Sequence, residues 1–180
     1  MEKLETAVVA GGCFWCVEAV FERVAGVESV ENGYSGGQVA NPSYEQVCSG
    51  TSGHAEAVRI RFDAAVLPYG DLLDIFLGTH DPTQADGQGN DRGPQYRSAI
   101  FPLTEAQRLE AEAAIARAQQ AHSRPVVTAI EPAAIFYPAE AGHQGYYRRV
   151  GARNPYCTYV IDPKVRKLQQ KYGSRLKEGI

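Results

Sequence analysis

Between Leu4 and Val24 the hydrophobic pattern changes period across two glycines. LETAVVA, residues 4–10, reads as a buried strand. From Cys13 onward Val17, Val20, Phe21 and Val24 recur at i, i+3, i+4 and i+7, the stripe of an amphipathic helix that stops near Gly26. A strand that becomes a helix over Gly11-Gly12 puts Cys13 at the helix N-terminus. The segment GCFWC then sets Cys16 one turn further on, with Phe14 and Trp15 between the two thiols.

The remaining periods restrict the fold further. Val27 to Tyr34 reads as a strand, followed by a loop rich in Gly, Ser, Asn and Pro in which SYEQV forms at most a short helical turn. His54 to Phe62 is the clearest strand, and GDLLDIFLGTH is a helix ending near Asp81-Pro82. A second polar loop, DPTQADGQGNDRGPQ, leads into a strand at Tyr96 to Phe101. Thr104 and Gln107 have capping-box spacing for a helix that runs to about His122, and Val126 to Ile130 is a strand. Asp162-Pro163 reads as an N-cap followed by proline at the first helical position. The order β-α-β-β-α-β predicts an α+β chain with a ferredoxin-like two-layer core and loop-rich extensions. It says nothing about chemistry.

A chain of 180 residues, 44% hydrophobic and 22% charged, has the size and composition of one globular domain, taken as residues 1–180. No apolar run approaches the ~20 residues of a membrane span. MEKLETAVVAGG lacks the basic and apolar regions of a signal peptide, so a cytoplasmic protein with no membrane partner is expected. The net charge of −3 gives no reason to expect nucleic acid. Lys164 to Lys177 holds six basic residues and no acidic one, and reads as the solvated face of a C-terminal helix rather than a polyanion site.

Four cysteines are too few for a disulfide scaffold, and a reducing compartment keeps them as thiols. The unpaired N–H groups and dipole of a helix start favour a thiolate at Cys13 and predict a lowered pKa. Cys16 lies on the same face, and an i, i+3 pair meets the Cα separation of about 4.4–6.8 Å that a disulfide requires. Cys13 is therefore a candidate nucleophile and Cys16 a candidate resolving thiol, although both can also be small core residues. Cys48 reads as a buried structural thiol. Cys157, which opens the apolar run in NPYCTYVI, reads as core or strand, or as a second resolving thiol. Zinc fits poorly, because Cys48 and Cys157 are isolated and no histidines stand at i, i+4. In a thioredoxin-like site the aromatic normally precedes the CxxC, whereas here the aromatics are inside it.

In HAEAVRIRF, alternation puts His54, Glu56, Val58, Ile60 and Phe62 on one face. If that face is the core, Glu56 points inward and its pKa rises. The alternative is a frayed strand end with Glu56 in solvent. A protonated carboxyl beside a thiolate suits attack on an S=O sulfur, whose oxygen leaves poorly until protonated. Phe14 and Trp15 are either the apolar wall that holds an S-methyl group or packing under the helix.

GGCFWCVEAVFERVAGVESVENGYSGG, NPSYEQVCSGTSGHAEAVRIRFD, HDPTQADGQGNDRGPQYRSAIF and HQGYYRRV together resemble the peptide methionine sulfoxide reductase A family, from about Ala7 to Lys167. The resemblance implies reduction of the S epimer of methionine sulfoxide, free or in oxidised proteins, with no bound cofactor. It implies Cys13 as the nucleophile that becomes a sulfenic acid, and Glu56 as the acid on the sulfoxide oxygen. Tyr44 and Tyr96 match the tyrosines that hydrogen-bond that oxygen, and Phe14 and Trp15 the methyl pocket. Asp91 matches a residue that binds substrate backbone or water, and His143 lies near the same site. The sequence resembles the GCFWC subgroup, in which the second motif cysteine, Cys16, resolves the sulfenic acid and thioredoxin reduces the disulfide. Ala85, Asp86, Gly87 and Pro94 depart from the family pattern in the second loop. Met1 is the only methionine, which suits an enzyme exposed to oxidant. The expectation is a monomeric repair enzyme. A general thiol-disulfide oxidoreductase and a zinc-binding module are the alternatives.

Overall fold

The computed structural model describes residues 3–178; the first two and the last two residues lie outside it. It is an α+β fold on a mixed, mostly antiparallel sheet. In chain order the elements are β1 (Leu4–Gly11), α1 (Phe14–Phe21), β2 (Val27–Ser35), α2 (Tyr44–Cys48), β3 (Ala55–Asp63) and α3 (Tyr69–Gly78). A hairpin, β4 (Gly87–Gln88) and β5 (Asp91–Arg92), precedes β6 (Ser98–Ile100) and α4 (Glu105–Gln119). Then come β7 (Ala129–Ile130), β8 (Tyr137–Pro138), α5 (Tyr146–Val150), a π-helical turn over Cys157–Ile161 and α6 (Asp162–Tyr172).

The main sheet has the order β7-β6-β1-β3-β2-β8. β1 lies antiparallel between β3 and β6, β2 pairs antiparallel with β3, and β7 joins β6 in parallel. One face carries the large core. Ala7 and Val9 of β1 and Val58, Ile60 and Phe62 of β3 pack there against Val17, Val20 and Phe21 of α1 and Leu72, Leu73 and Phe76 of α3. The other face is a thin layer of Val8, Ala10, Ala55, Ala57, Ala99 and Phe101 under Phe136. With both faces covered, β1 is buried residue after residue from Ala7, which is why its sequence is a run rather than an alternation.

Several boundaries differ from the sequence reading. α1 ends at Phe21 rather than Ala25; Val24 instead pairs with Leu176, where the C-terminal segment crosses the helix end. Tyr96 lies in a 3-10 turn, Pro94–Tyr96, and the following strand is only Ser98–Ile100. The strand expected at 126–130 shrinks to Ala129–Ile130. Thr104 caps α4 by accepting from Gln107 N, but the Gln107 side chain bonds Leu103 N and the Thr6 carbonyl, so the capping box is half made. Asp162 is not an N-cap. It has helical dihedrals because the π-helical turn runs directly into α6, and it accepts a hydrogen bond from Tyr147 instead. Cys157 opens that turn rather than a strand, and Cys48 is half-buried rather than buried. On α6 Val165 and Leu168 are buried while Arg166, Lys167 and Lys171 face solvent. No helix among the described residues is long and apolar enough to cross a membrane.

Candidate active site

The two glycines at which β1 ends, Gly11 and Gly12, make the site. Gly12 has φ +90°, a left-handed backbone that side chains rarely adopt, and a Cβ there would stand 2.6 Å from Gln88 Cγ. Gln88 cannot yield: it accepts from Asp81 N (2.8 Å) and donates to the Asp81 carbonyl (2.5 Å). A Cβ on Gly11 would lie 2.8 Å from Phe76 and 3.2 Å from His80. His80 is locked by contacts to the Phe76 carbonyl (2.6 Å) and Ser98 Oγ (2.7 Å). A carbonyl only accepts, so Nδ1 carries the proton and the Ser98 hydroxyl donates to Nε2. Burial lowers the His80 pKa to about 4, which keeps the ring neutral. We expect Gly12→Ala to lower the thermal midpoint, by about 1–3 kcal/mol of strain, and to slow the chemistry by moving Cys13; both are read by calorimetry and turnover.

The chain leaves Gly12 with Cys13 as the N-cap of α1. Cys13 and Cys16 are buried free thiols in a cluster with Cys157, Ile161 and Val165, edged by Trp15, Tyr96, Tyr146 and Tyr156. Burial pushes the Cys13 thiol up, and the neighbouring Cys16 and Glu56 add to this. This corrects the lowered value expected at a helix start: removal from water outweighs the dipole. The thiolate character moves to Cys16, whose pKa falls to about 7 because Cys13 donates a hydrogen bond to it, aided by Lys164.

Glu56 enters from β3. Val58, Ile60 and Phe62 are fully buried on the same face, each at about 1.5–3 kcal/mol, and they decide the strand's phase. Glu56 is carried inward with them, 1% exposed. Its Oε1 accepts from Phe14 N at 3.0 Å, at the first turn of the helix that Cys13 caps. Burial raises its pKa to about 8 in spite of that bond, so at neutral pH it is mostly a protonated acid. His54 precedes the strand rather than joining it. It accepts from Gly37 N (3.0 Å) and donates to the Val39 carbonyl (2.7 Å), pinning the loop before α2.

An aromatic wall stands beside this acid. The Phe14 ring lies 5.5 Å from His143 and 6.5 Å from Tyr44, and Tyr44 and His143 are 4.4 Å apart. Trp15 Nε1 donates to His143 Nδ1 at 3.3 Å. His143 is held to β2, where Asn32 Nδ2 donates to its carbonyl (2.7 Å) and Gln144 brackets the Asn32 backbone. Burial raises the pKa of Tyr44 and of Tyr96, and the Glu56 charge adds to both; Tyr44 packs on Phe14 and Tyr96 edges the thiol cluster. Tyr96 ends the 3-10 turn Pro94–Tyr96, and the next residue, Arg97, forms a two-pronged ion pair with Glu131 at 2.7 and 3.0 Å.

Thus Cys13, Cys16, Phe14, Trp15, Tyr44, Glu56, Tyr96 and His143 gather around one helix start. Asp91 sits to one side, where its Oδ2 accepts from the Tyr156 hydroxyl at 2.5 Å. Sequence reasoning missed four residues. Tyr34 stands opposite Glu56 in the sheet register, packs on Phe14 and donates to Glu140 at 3.0 Å. Tyr156 contacts Cys16 Sγ at 3.6 Å. Tyr146 stacks on Trp15 at 3.8 Å, and buried Glu18 holds its backbone by accepting from Gly145 N (2.8 Å) and Tyr146 N (3.3 Å). The signal for Glu18 was present: a carboxylate inside a short apolar helix needs a partner.

A family model described as peptide methionine sulfoxide reductase matches residues 5–176. The chain belongs to the peptide methionine sulfoxide reductase family. Curated members similar to it include the peptide methionine sulfoxide reductase MsrA of Erwinia tasmaniensis, 56% identical over 94% of this chain and 96% of that protein. The MsrA of Thermus thermophilus is 49% identical over 96% and 98%. Among solved members, the methionine sulfoxide reductase A of Corynebacterium diphtheriae superposes with a TM-score of 0.72 at 32% identity, covering 84% of this chain and 76% of that one. Mxr1 from Saccharomyces cerevisiae in reduced form gives 0.75 at 29% identity, covering 85% and 87%.

Proposed function

We propose that this reductase-family chain is a thioredoxin-dependent peptide-methionine (S)-S-oxide reductase acting through Cys13 and Glu56. One observation carries the reading: a protonated, buried Glu56 is hydrogen-bonded to the first turn of the helix that Cys13 caps, beside an aromatic wall. The S-methyl group lies against Phe14, Trp15, Tyr44 and His143, and the sulfoxide oxygen faces Glu56, Tyr44 and Tyr96. Cys13 sulfur attacks the sulfoxide sulfur. Glu56 protonates the oxygen, the oxygen passes to Cys13 as a sulfenic acid, methionine leaves, and the Cys13 thiol proton restores Glu56. Cys16 then displaces water to form the Cys13–Cys16 disulfide, which a dithiol reductant opens by exchange. Mxr1 has also been solved in complex with Trx2, which supports thioredoxin as the reductant here.

The same reading treats the chain as one catalytic domain over residues 1–180, monomeric, and ferredoxin-like, with the β6-β1-β3-β2 order as its support. A thiol pair cycled by thioredoxin belongs in a reducing compartment, hence the cytoplasm. Nucleic acid, membrane and cofactor play no part in it.

The test is a single turnover of reduced protein with separate S and R epimers of a methionine sulfoxide peptide, counting thiols before and after. One methionine from the S epimer alone, with two thiols lost and mapped to Cys13 and Cys16, is the expected result. No reduction of either epimer, with insulin disulfides reduced instead, would replace this reading with a general thiol-disulfide oxidoreductase.

A further inference from the structure

Resolution of a sulfenic acid by a buried thiol poses a proton problem. In the step Cys13–SOH + Cys16–SH → Cys13–S–S–Cys16 + H2O, the S–S bond forms and the S–O bond breaks. The departing hydroxide needs a proton, and the Cys16 thiol must lose one. Glu56 suits the first task because it is an acid near the Cys13 oxygen. It cannot also be the base for Cys16 in the same step.

The groups facing Cys16 can be taken in turn. On its own helix there is Cys13, the electrophile. Lys164 at the start of α6 is a cation with no lone pair, and it favours the thiolate without accepting a proton. Cys157, across the cluster, is itself a buried thiol. His80, behind Cys16 in the small cavity that Lys164 also lines, has Nε2 occupied by Ser98. Tyr96 edges the cluster, but the hydroxyl in contact with Cys16 Sγ is that of Tyr156. That leaves Tyr156, 3.6 Å from Cys16 Sγ, whose hydroxyl reaches Asp91 Oδ2 on β5 at 2.5 Å.

A tyrosine has one hydroxyl proton and here two neighbours that want it. The 2.5 Å contact has the length of a charge-assisted O–H···O⁻ bond, so the proton points to Asp91. Toward Cys16 the tyrosine oxygen presents a lone pair, and the thiol donates. The chain S–H···O–H···O⁻ therefore runs in one direction, from Cys16 through Tyr156 to Asp91. Asn154 fixes its middle member by accepting from Tyr156 N at 3.0 Å. Asp91 is half-buried on a surface hairpin and can pass the proton to water.

We propose that Tyr156 and Asp91 are the proton outlet of the resolving step: Tyr156 takes the Cys16 proton as the disulfide forms and gives its own to Asp91. Tyr156 acts on a reacting atom, and Asp91 acts through it. The inference rests on Cys16 being the resolving thiol. The sulfenic acid proper needs no help from this relay, so the effect falls on disulfide formation rather than on methionine release.

The test follows both events in one experiment. Reduced protein is mixed with one equivalent of the S-epimer peptide between pH 5.5 and 8.5, and methionine and free thiols are measured against time. In the parent, disulfide formation is nearly independent of pH. In Tyr156→Phe and in Asp91→Asn it slows by about 10-fold at pH 6, where about a tenth of Cys16 is already thiolate, and recovers with unit slope as pH rises toward the Cys16 pKa of about 7. The double variant is no slower than either single one, and Asp91→Glu restores the flat profile. Sulfenic acid trapped by dimedone accumulates in the slow variants.

Parent-like disulfide formation at pH 6 in either single variant overturns the proposal, as does a disulfide mapped to Cys13–Cys157 in the parent. If no methionine is released, the functional reading fails separately; hydrogen peroxide then forms the Cys13 sulfenic acid and the same thiol traces test the relay. If Tyr156→Phe does not fold, Asp91→Asn carries the same prediction.

Discussion

Cys13→Ser abolishes methionine formation even in a single turnover. A serine hydroxyl beside a protonated carboxyl is not ionised at neutral pH, and it cannot form the S–O intermediate on which the later disulfide depends. The hydroxyl replaces a thiol of nearly the same shape in a cluster that is already partly polar, through Tyr156 and Tyr96. The stability cost is therefore about 1–2 kcal/mol, and the variant stays folded at 25 °C. Cys16→Ser separates the two halves of the reaction. It releases one methionine per chain and then stops, because nothing removes the sulfenic acid. Methionine measured by chromatography, with and without thioredoxin and its reductase, distinguishes these outcomes. Continued cycling of Cys16→Ser would move the resolving role to Cys157, which shares the same buried cluster.

Glu56→Gln slows the chemical step by about 10²–10⁴-fold, the range for losing a positioned general acid, with little change in substrate binding. Glutamine keeps the volume and can still accept from Phe14 N, so the helix start is undisturbed. What is lost is a proton held at a pKa of about 8 by burial. In the parent the rate falls as pH rises through about 8, because the working form is the protonated one. Stability follows the same group. The folded carboxyl is protonated up to about 8 and the unfolded one only to about 4.3. Folding therefore takes up a proton between those values, and stability from this group declines as pH rises across the window. Glu56→Gln flattens that slope. Thermal midpoints and single-turnover rates at pH 5, 7 and 9 check both effects, and an unchanged rate would remove Glu56 as the acid.

Much of this site was legible in the chain because its members announce themselves locally. A strand period broken by Gly-Gly and replaced by a helix period puts Cys13 at a helix start, and alternation along HAEAVRIRF aims Glu56 at the core. Those are properties of neighbouring residues, set by backbone sterics and by which face of an element is apolar. Ends of elements were less legible. The strand expected from Tyr96 starts only at Ser98 because Pro94–Tyr96 closes into a 3-10 turn, and Asp162 was absorbed into a helix because a π-helical turn arrives from Cys157.

The amino-acid sequence by itself determined the α+β order, the thiol at the helix start, the inward carboxyl and the family. Only the tertiary structure decided how these groups are charged and which of them meet. Cys13 is raised rather than lowered because the C-terminal turn with Tyr156, Cys157 and Ile161 closes over it and removes water. Asp91 lies with Cys16 because Tyr156, 65 residues further along the chain, contacts both. Periodicity is written in steps of two to four residues. Desolvation and proton sharing depend on what the folded chain brings in from elsewhere, and no local pattern encodes them.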